Sequence, residues 1–154
     1  MNADTSFKWS RLVQQAEGLL SVYRHRNSNA ANLSALMFSE IPDVSWVGFY
    51  FLENNSLWVG PFQGKPACTK IELGKGVCGT AMVTQETIRV EDVNAYAGHI
   101  ACDADAQSEV VVPLIKDGEI IGVMDIDSAR IGRFSEADAE ALTELAQVYI
   151  NSID

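Results

Sequence analysis

The amino-acid sequence predicts an α/β chain of the α+β type, with a central antiparallel sheet and helices packed on one face. Two observations support this prediction. Apolar residues recur at helical spacing near both ends of the chain, whereas in the middle the period changes to two and is interrupted by hairpin turns. Consecutive hairpins pair antiparallel strands, and amphipathic helices can cover one face of such a sheet. The length favours a single domain over residues 1–154.

The first two elements are predicted to be helices. Residues 7–24 carry apolar side chains at helical spacing, namely Leu12, Ala16, Leu19, Leu20 and Tyr23. A shorter helix is predicted at residues 30–40, and it ends before Pro42 because proline removes a backbone donor. The chain then changes from the helical period to the period of a strand.

The central segments are predicted to form strands with one inserted helix. Residues 45–53 alternate with apolar side chains on both faces, so this strand should be buried on both. An Asn-Asn-Ser turn connects it to a strand at 57–62, which completes a hairpin. The predicted elements that follow are a strand at 69–73, a tight loop at 74–76, a helix at about 77–86 and a strand at 87–92.

The last third of the chain is predicted to contain a long loop, a hairpin and a helix. Residues 93–107 have no clear period, and we predict a loop with one helical turn; loops of this length are often functional. An Asp-Gly turn joins apolar strands at 109–115 and 119–127. Ser135, followed three residues later by Asp138, predicts the capped start of the final helix.

Charge and composition exclude several classes of function. Eleven basic and twenty-one acidic side chains give a net charge of −10, whereas nucleic-acid binding requires a basic surface. The same charge argues against an anionic membrane surface, and no apolar run approaches the length of a membrane span. The N-terminus lacks the pattern of a secretory signal, so the cytoplasm is the expected location.

Three cysteines, Cys68, Cys78 and Cys102, leave three readings open. They could be inert buried thiols, a Cys₃His metal site completed by His99, or a redox relay. The spacings are unlike those of zinc motifs, and a cytoplasmic disulfide is usually transient and catalytic. We expect the start of a helix to stabilise a Cys78 thiolate, and His99 to favour a Cys102 thiolate that Asp103 and Asp105 would oppose.

Carboxylates and aromatic residues on the strands predict a second chemical feature. Asp125 and Asp127 share one face of their strand, and hairpin pairing would bring Glu109 near them. Three converging carboxylates would raise at least one pKa and would attract an ammonium group. Solvated acids at a strand end are the alternative. Trp46 and Tyr50 share a face of the first strand, where core packing and a ligand pocket are both open.

Four segments together resemble the signature sequences of the free methionine-(R)-sulfoxide reductases, a family built on the GAF domain. These segments read GPFQGKPAC, GKGVCGTA, GHIACD and GVMDIDS. The resemblance extends from about Ser45 to Ser128 and includes all three cysteine positions. It implies a GAF fold, with an antiparallel sheet, helices on one face and a ligand pocket under loops on the other.

The resemblance also implies a reaction and roles for individual residues. Free methionine-(R)-sulfoxide would be reduced to methionine, thioredoxin would restore the enzyme, and no metal or organic cofactor would be needed. Cys102 matches the nucleophile, and Cys68 and Cys78 match the recycling cysteines, with Cys68 favoured as the direct resolving partner. The residues that match the substrate pocket are Trp46, Tyr50, Glu109, Asp125 and Asp127, and Glu109 is also a candidate in catalysis.

The alternative function is a non-catalytic binding module, because many GAF domains sense small ligands as parts of signalling proteins. Fold alone does not decide between the two functions. A homodimer is a further expectation that the sequence leaves open.

Overall fold

The fold is described from a computed structural model that covers residues 7–102 and 104–154. Asp103, which was expected to oppose a Cys102 thiolate, lies outside the described residues. In chain order the elements are α1 (Trp9–Leu19), α2 (Arg26–Glu40), β1 (Trp46–Glu53), β2 (Ser56–Gln63), β3 (Lys70–Glu72), α3 (Gly76–Thr84), β4 (Ile88–Val90), a 3₁₀ turn (Val93–Ala95), β5 (Ser108–Lys116), β6 (Glu119–Ser128) and α4 (Glu136–Asn151).

The six strands form one antiparallel sheet in the order β3-β2-β1-β6-β5-β4. Two hairpin turns set the register, and both place consecutive residues at positive φ. In the β1–β2 turn these residues are Asn54 and Asn55, and in the β5–β6 turn they are Asp117 and Gly118. Such turns match the twist of the strands that they join. The predicted central antiparallel sheet is therefore confirmed.

Helices α1, α2 and α4 cover one face of the sheet and form its larger apolar core. Strand side chains at alternate positions enter this core, among them Phe49 of β1, Val112 of β5 and Ile126 of β6. α4 begins with the predicted capping box, in which Ser135 accepts from the Asp138 amide and Asp138 accepts from the Ser135 amide. This satisfies backbone donors that a helix start leaves unpaired. The predicted packing of these helices on one face is confirmed.

Helix α3 lies on the opposite face of the sheet. Its residues Val77, Ala81 and Met82 belong to a second apolar cluster with Val111 of β5 and Val123 of β6. The tight loop before α3 depends on Gly79, because a Cβ there would lie 2.5 Å from the backbone oxygen of Glu72. This close approach brings the start of α3 against the end of β3, while the helix packs on β5 and β6.

The helix boundaries differ from the prediction at two places. α1 ends at Leu19 rather than at residue 24, and Tyr23 is 75% exposed instead of facing the core. α2 begins at Arg26, four residues before the predicted start, because the His25 ring accepts a hydrogen bond from the Ser28 amide. The first turns of α2 are polar, so its apolar period does not reveal them. Within the described residues, no helix has the length and hydropathy needed to cross a membrane.

Candidate functional site

Three acidic side chains lie side by side on the face of the sheet that carries α3. Strand β6 holds Asp125 and Asp127 two residues apart, and β5 pairs Glu109 directly with Asp127. Strand β1 pairs Trp46 with Asp127 from the other side. All three acids are buried. The expectation that the hairpin brings Glu109 to these acids is confirmed, and the alternative of solvated acids is wrong.

A small cavity lies between these acids, α3 and the loop that follows the 3₁₀ turn. Its volume is about 20 Å³, which is roughly the room of one water molecule. Six of the predicted site residues line it, namely Tyr50, Cys78, Cys102, Glu109, Asp125 and Asp127. Trp46 and Cys68 are outside this lining, and each contacts a residue within it.

A disulfide joins Cys68 to Cys102 over the cavity, with Cα atoms 5.0 Å apart and 34 residues of separation. A second link joins the same two loops, because the Lys65 ammonium lies 2.6 Å from Asp105. The two bonded sulfurs are not available as metal ligands, so the hypothesis of a Cys₃His metal site is wrong for the chain with this disulfide. The reading of three inert thiols is also excluded, since two of them have reacted.

Cys78 is the third residue of α3, but its thiol is not stabilised as a thiolate. It is buried and donates to the Asp125 carboxyl at 3.5 Å. Burial, and then the negative charge of Asp125, raise the pKa of the Cys78 thiol well above its usual range. The expectation of a thiolate stabilised by the helix start is therefore wrong, because desolvation and the adjacent acids outweigh the helix dipole.

Asp125 contacts the Cys78 thiol and favours the protonated form of its carboxyl group. Burial, and then the neighbouring Asp127, raise the pKa of the Asp125 carboxyl well above its ordinary value. One carboxyl oxygen contacts Cys78, whereas the other, Oδ1, is buried and has no hydrogen-bond partner among the described residues. The site therefore contains a carboxyl group that favours its protonated form and has one oxygen without a hydrogen-bond partner among the described residues.

Trp46 and Tyr50 form an aromatic wall beside the acids. Their rings stack with centroids 5.8 Å apart, and the Trp46 indole N–H donates to the Lys65 carbonyl at 3.1 Å. Gly48 lies between them in the chain, where an added Cβ would lie 2.6 Å from the indole. Burial, and then Asp125, raise the pKa of Tyr50, so its hydroxyl remains neutral.

Seven further residues line the cavity that the sequence did not assign to a pocket, among them Lys75, His99 and Ile100. Lys75 precedes α3 in the glycine loop, and its charge beside a helix start was the available signal. The sequence predicted His99 only as a neighbour of Cys102. In the structure its imidazole lines the cavity, and partial burial lowers its pKa, which favours the neutral ring. No period in residues 93–107 indicated where these side chains point.

Known proteins are similar to this chain in sequence and in fold. The family model described as GAF domain matches residues 32–154. The protein named free methionine-R-sulfoxide reductase of Escherichia coli is 51% identical over 115 residues, which span 75% of this chain and 70% of that protein. The protein of the same name from Saccharomyces cerevisiae is 46% identical over 146 residues, which span 90% of this chain and 81% of that protein.

A solved structure extends the similarity to three dimensions. The complex of fRMsr of Staphylococcus aureus with its substrate superposes with a TM-score of 0.92 at 43% identity, and each chain is covered to 97%. The chain belongs to the GAF domain family and, within it, to the free methionine-R-sulfoxide reductases.

Proposed function

We propose that this chain reduces free L-methionine-(R)-sulfoxide to methionine with its own thiols. The observation that carries the proposal is the Cys68–Cys102 disulfide beside a cavity lined by buried acids. A ligand-sensing module needs no such pair of reacted thiols at its pocket, whereas a thiol-dependent reductase must pass through that state. Relatives named for this reaction share 46–51% of the aligned residues.

In the first step Cys102 attacks the sulfoxide sulfur as a thiolate. The sulfoxide oxygen moves to the cysteine, and protonation yields a Cys102 sulfenic acid and free methionine. The proton would come from Glu109 or Asp125, because burial and then Asp127 raise the pKa of the Asp125 carboxyl well above its usual range and so favour its protonated form. Glu109 is the other candidate donor, because it is buried and pairs with Asp127 across the hairpin.

In the second step Cys68 condenses with the sulfenic acid, which releases water and forms the Cys68–Cys102 disulfide. A dithiol protein of the thioredoxin type then reduces this bond by thiol exchange and leaves with its own disulfide. Cys78 would be a slower partner, because the pKa of its buried thiol is raised and little thiolate forms. This difference favours Cys68 over Cys78 as the resolving partner, and the role of Cys102 as nucleophile rests on the resemblance to the family.

The charges around the cavity fit both ends of a free amino acid. Glu109, Asp125 and Asp127 would bind the α-ammonium group, and Lys75 with the amide groups at the start of α3 would bind the carboxylate. A methionine sulfoxide within a protein has lost both charges. The buried acids would then remain without a cation, at a cost of roughly 3–5 kcal/mol.

The aromatic wall provides a basis for choice between the sulfur epimers. If Trp46 and Tyr50 hold the methyl group, only one epimer directs its oxygen towards the acids. The other epimer would leave that oxygen without a donor, which costs roughly 1–3 kcal/mol. The assignment of the R epimer rests on the family.

Substrate would enter only after the disulfide is reduced. The cavity of about 20 Å³ beneath the linked loops is far too small for an amino acid. Reduction frees the loop that carries Cys102 from the loop that carries Cys68, so the pocket can widen. Oxidised protein should therefore not bind free methionine sulfoxide, and titration calorimetry of the two redox forms measures this.

Counting thiols tests the proposal directly. Fully reduced protein without an external reductant should lose two thiols for each methionine formed from the free R sulfoxide. The matched control, Cys102→Ser, should lose none and should form no methionine. Methionine formed without loss of thiols, or binding without either product, would favour a sensing module.

Four further features, namely domain organisation, location, reductant and oligomeric state, complete the proposal. The chain acts as one domain over residues 1–154, in the cytoplasm and with thioredoxin as reductant. We also propose that the chain forms a homodimer, and sedimentation velocity would measure its oligomeric state. Turnover with purified thioredoxin, its reductase and NADPH, but not with the reductase alone, is the expected result for the reductant.

A further inference from the structure

We propose that Cys78, Glu109 and Asp125 form a binding site for a thiophilic divalent cation such as Zn²⁺. This role goes beyond the reductase chemistry and does not depend on it. One sulfur and two carboxylate oxygens, one atom from each residue, all lie within 4.8 Å of one another. All three side chains are buried, and they come from α3, β5 and β6.

The spacing of the three donor atoms fits a single ion. Zinc binds sulfur at about 2.3 Å and oxygen at about 2.0–2.2 Å, so sulfur and oxygen donors in a tetrahedral site lie roughly 3.6 Å apart. The Cys78 sulfur and an Asp125 oxygen are already 3.5 Å apart, and the remaining donor, within 4.8 Å of the others, would move inwards by up to about 1 Å. The donors are held by a helix and two paired strands, which keeps them in place before an ion arrives.

An unpaired buried atom provides a second, independent reason. Asp125 is 5% exposed and lines the cavity, and its Oδ1 has no hydrogen-bond partner among the described residues. Its other oxygen accepts from the Cys78 thiol. A buried acceptor without a partner is costly and calls for an explanation such as a bound ion. A cation at this position would supply the missing partner.

The size of the cavity selects an ion over an organic molecule. A volume of about 20 Å³ has room for a metal ion with at most one water. Three protein ligands and one open position form the usual coordination of an accessible zinc site. The open position would face the cavity, where water can occupy it.

The donor types select the class of metal. Magnesium and calcium prefer oxygen ligands throughout, whereas a thiolate favours zinc and other soft cations. Binding would replace the proton of the Cys78 thiol, and that proton would leave to solvent. One sulfur and two carboxylates therefore point to Zn²⁺, and Co²⁺ is a spectroscopic substitute with the same geometry.

The disulfide makes the experiment selective for Cys78. The chain has three cysteines, and two of them form the disulfide, so oxidised protein contains one thiol. Titration of this protein with Co²⁺ should produce a thiolate-to-cobalt charge-transfer band in the near ultraviolet that saturates at one equivalent. Zn²⁺ should remove the band, and excess Mg²⁺ should not.

Two variants and one control assign the ligands. Cys78→Ser should abolish the band, and both Cys78→Ser and Asp125→Asn should weaken Zn²⁺ binding by roughly 100-fold. Asp105→Asn is the control, because this acid lies on the neighbouring loop outside the cavity lining and should leave binding unchanged. Circular dichroism checks that each variant folds. If Cys78→Ser does not fold, the Zn²⁺ affinity of Asp125→Asn is the deciding measurement. Absence of the band, unchanged Zn²⁺ affinity in the folded variants, or displacement by Mg²⁺ would each overturn the proposal.

Discussion

Replacement of Asp125 by asparagine should make the protein more stable than wild type as the pH rises, while it removes the proposed activity. Asp125 is buried, and burial followed by the charge of Asp127 raises its pKa in the folded chain. The unfolded chain exposes the same carboxyl to water, where it titrates near pH 4, as an ordinary aspartic acid does. The two states therefore bind different numbers of protons over a range of pH.

The sign and the slope follow from proton linkage. Above about pH 4 and below the raised pKa, the folded chain holds one proton at Asp125 that the unfolded chain has released. The free energy of unfolding then falls as the pH rises, by about 1.4 kcal/mol per pH unit for one proton. Asparagine does not titrate, so the variant lacks this loss. The stability difference should widen in its favour at up to this slope.

Urea unfolding at a series of pH values, followed by tryptophan fluorescence, measures the difference. Both proteins are compared with the disulfide intact. Asp43→Asn is the matched control, because it removes an exposed carboxylate that pairs with Arg130 at 2.9 Å and should change stability by less than about 1 kcal/mol. Parallel curves for wild type and Asp125→Asn, or a gap that narrows as the pH rises, would refute the reasoning. Activity of the variant should fall by roughly 100-fold or more, as expected for loss of a general acid.

Other substitutions test the roles of the thiols and the support of the site. Cys102→Ser should abolish even the first turnover in a rapid-quench assay, because a serine hydroxyl is a far weaker nucleophile. Cys68→Ser should retain that turnover and lose recycling by thioredoxin; multiple turnovers would contradict its role. Asp138→Ala should cost about 1–2 kcal/mol in urea unfolding, because it removes a helix cap and the acceptor of the Trp9 indole N–H at 2.7 Å. Gly48→Ala should cost about 1–3 kcal/mol by overpacking, and an unchanged unfolding midpoint would contradict the contact geometry.

The strands and their turns were predictable from sequence because their signals are local. A period of two identifies β1, β5 and β6, and the Asp117-Gly118 turn fixes the pairing of the last two strands. Once that hairpin is known, the position of Glu109 opposite the two aspartates follows. The clustering of these three acids could therefore be predicted from the sequence.

The start of α2 and the state of Cys78 were not predictable, since both depend on residues distant in the chain. Asn29, in the first turns of α2, is buried and donates to the Ser152 carbonyl, which is 123 residues away. Cys78 contacts Asp125 across 47 residues, and this contact reverses the effect expected from the helix start. Position within a helix predicts a thiol pKa only when no buried charge lies nearby.

The lining of the cavity was only partly predictable, for a related reason. Its acids and Tyr50 alternate along strands, so their common face can be counted. His99 and Ile100 lie in a segment without a period, and their placement depends on links to other loops, including the disulfide at Cys102. Such links are tertiary contacts, and a sequence pattern does not contain them.

The location of the acids on the central strand explains how the fold tolerates them. Strand β6 pairs with β1 on one side and β5 on the other, so hydrogen bonds on both edges hold its register. Met124 and Ile126 enter the apolar core, while Asp125 and Asp127 face the cavity. A slip of one residue would exchange the two sets and place both carboxyl groups among apolar side chains, at a large desolvation cost. The same alternation that builds the core therefore also keeps the acidic row directed at the cavity, and an edge strand would hold that register less firmly.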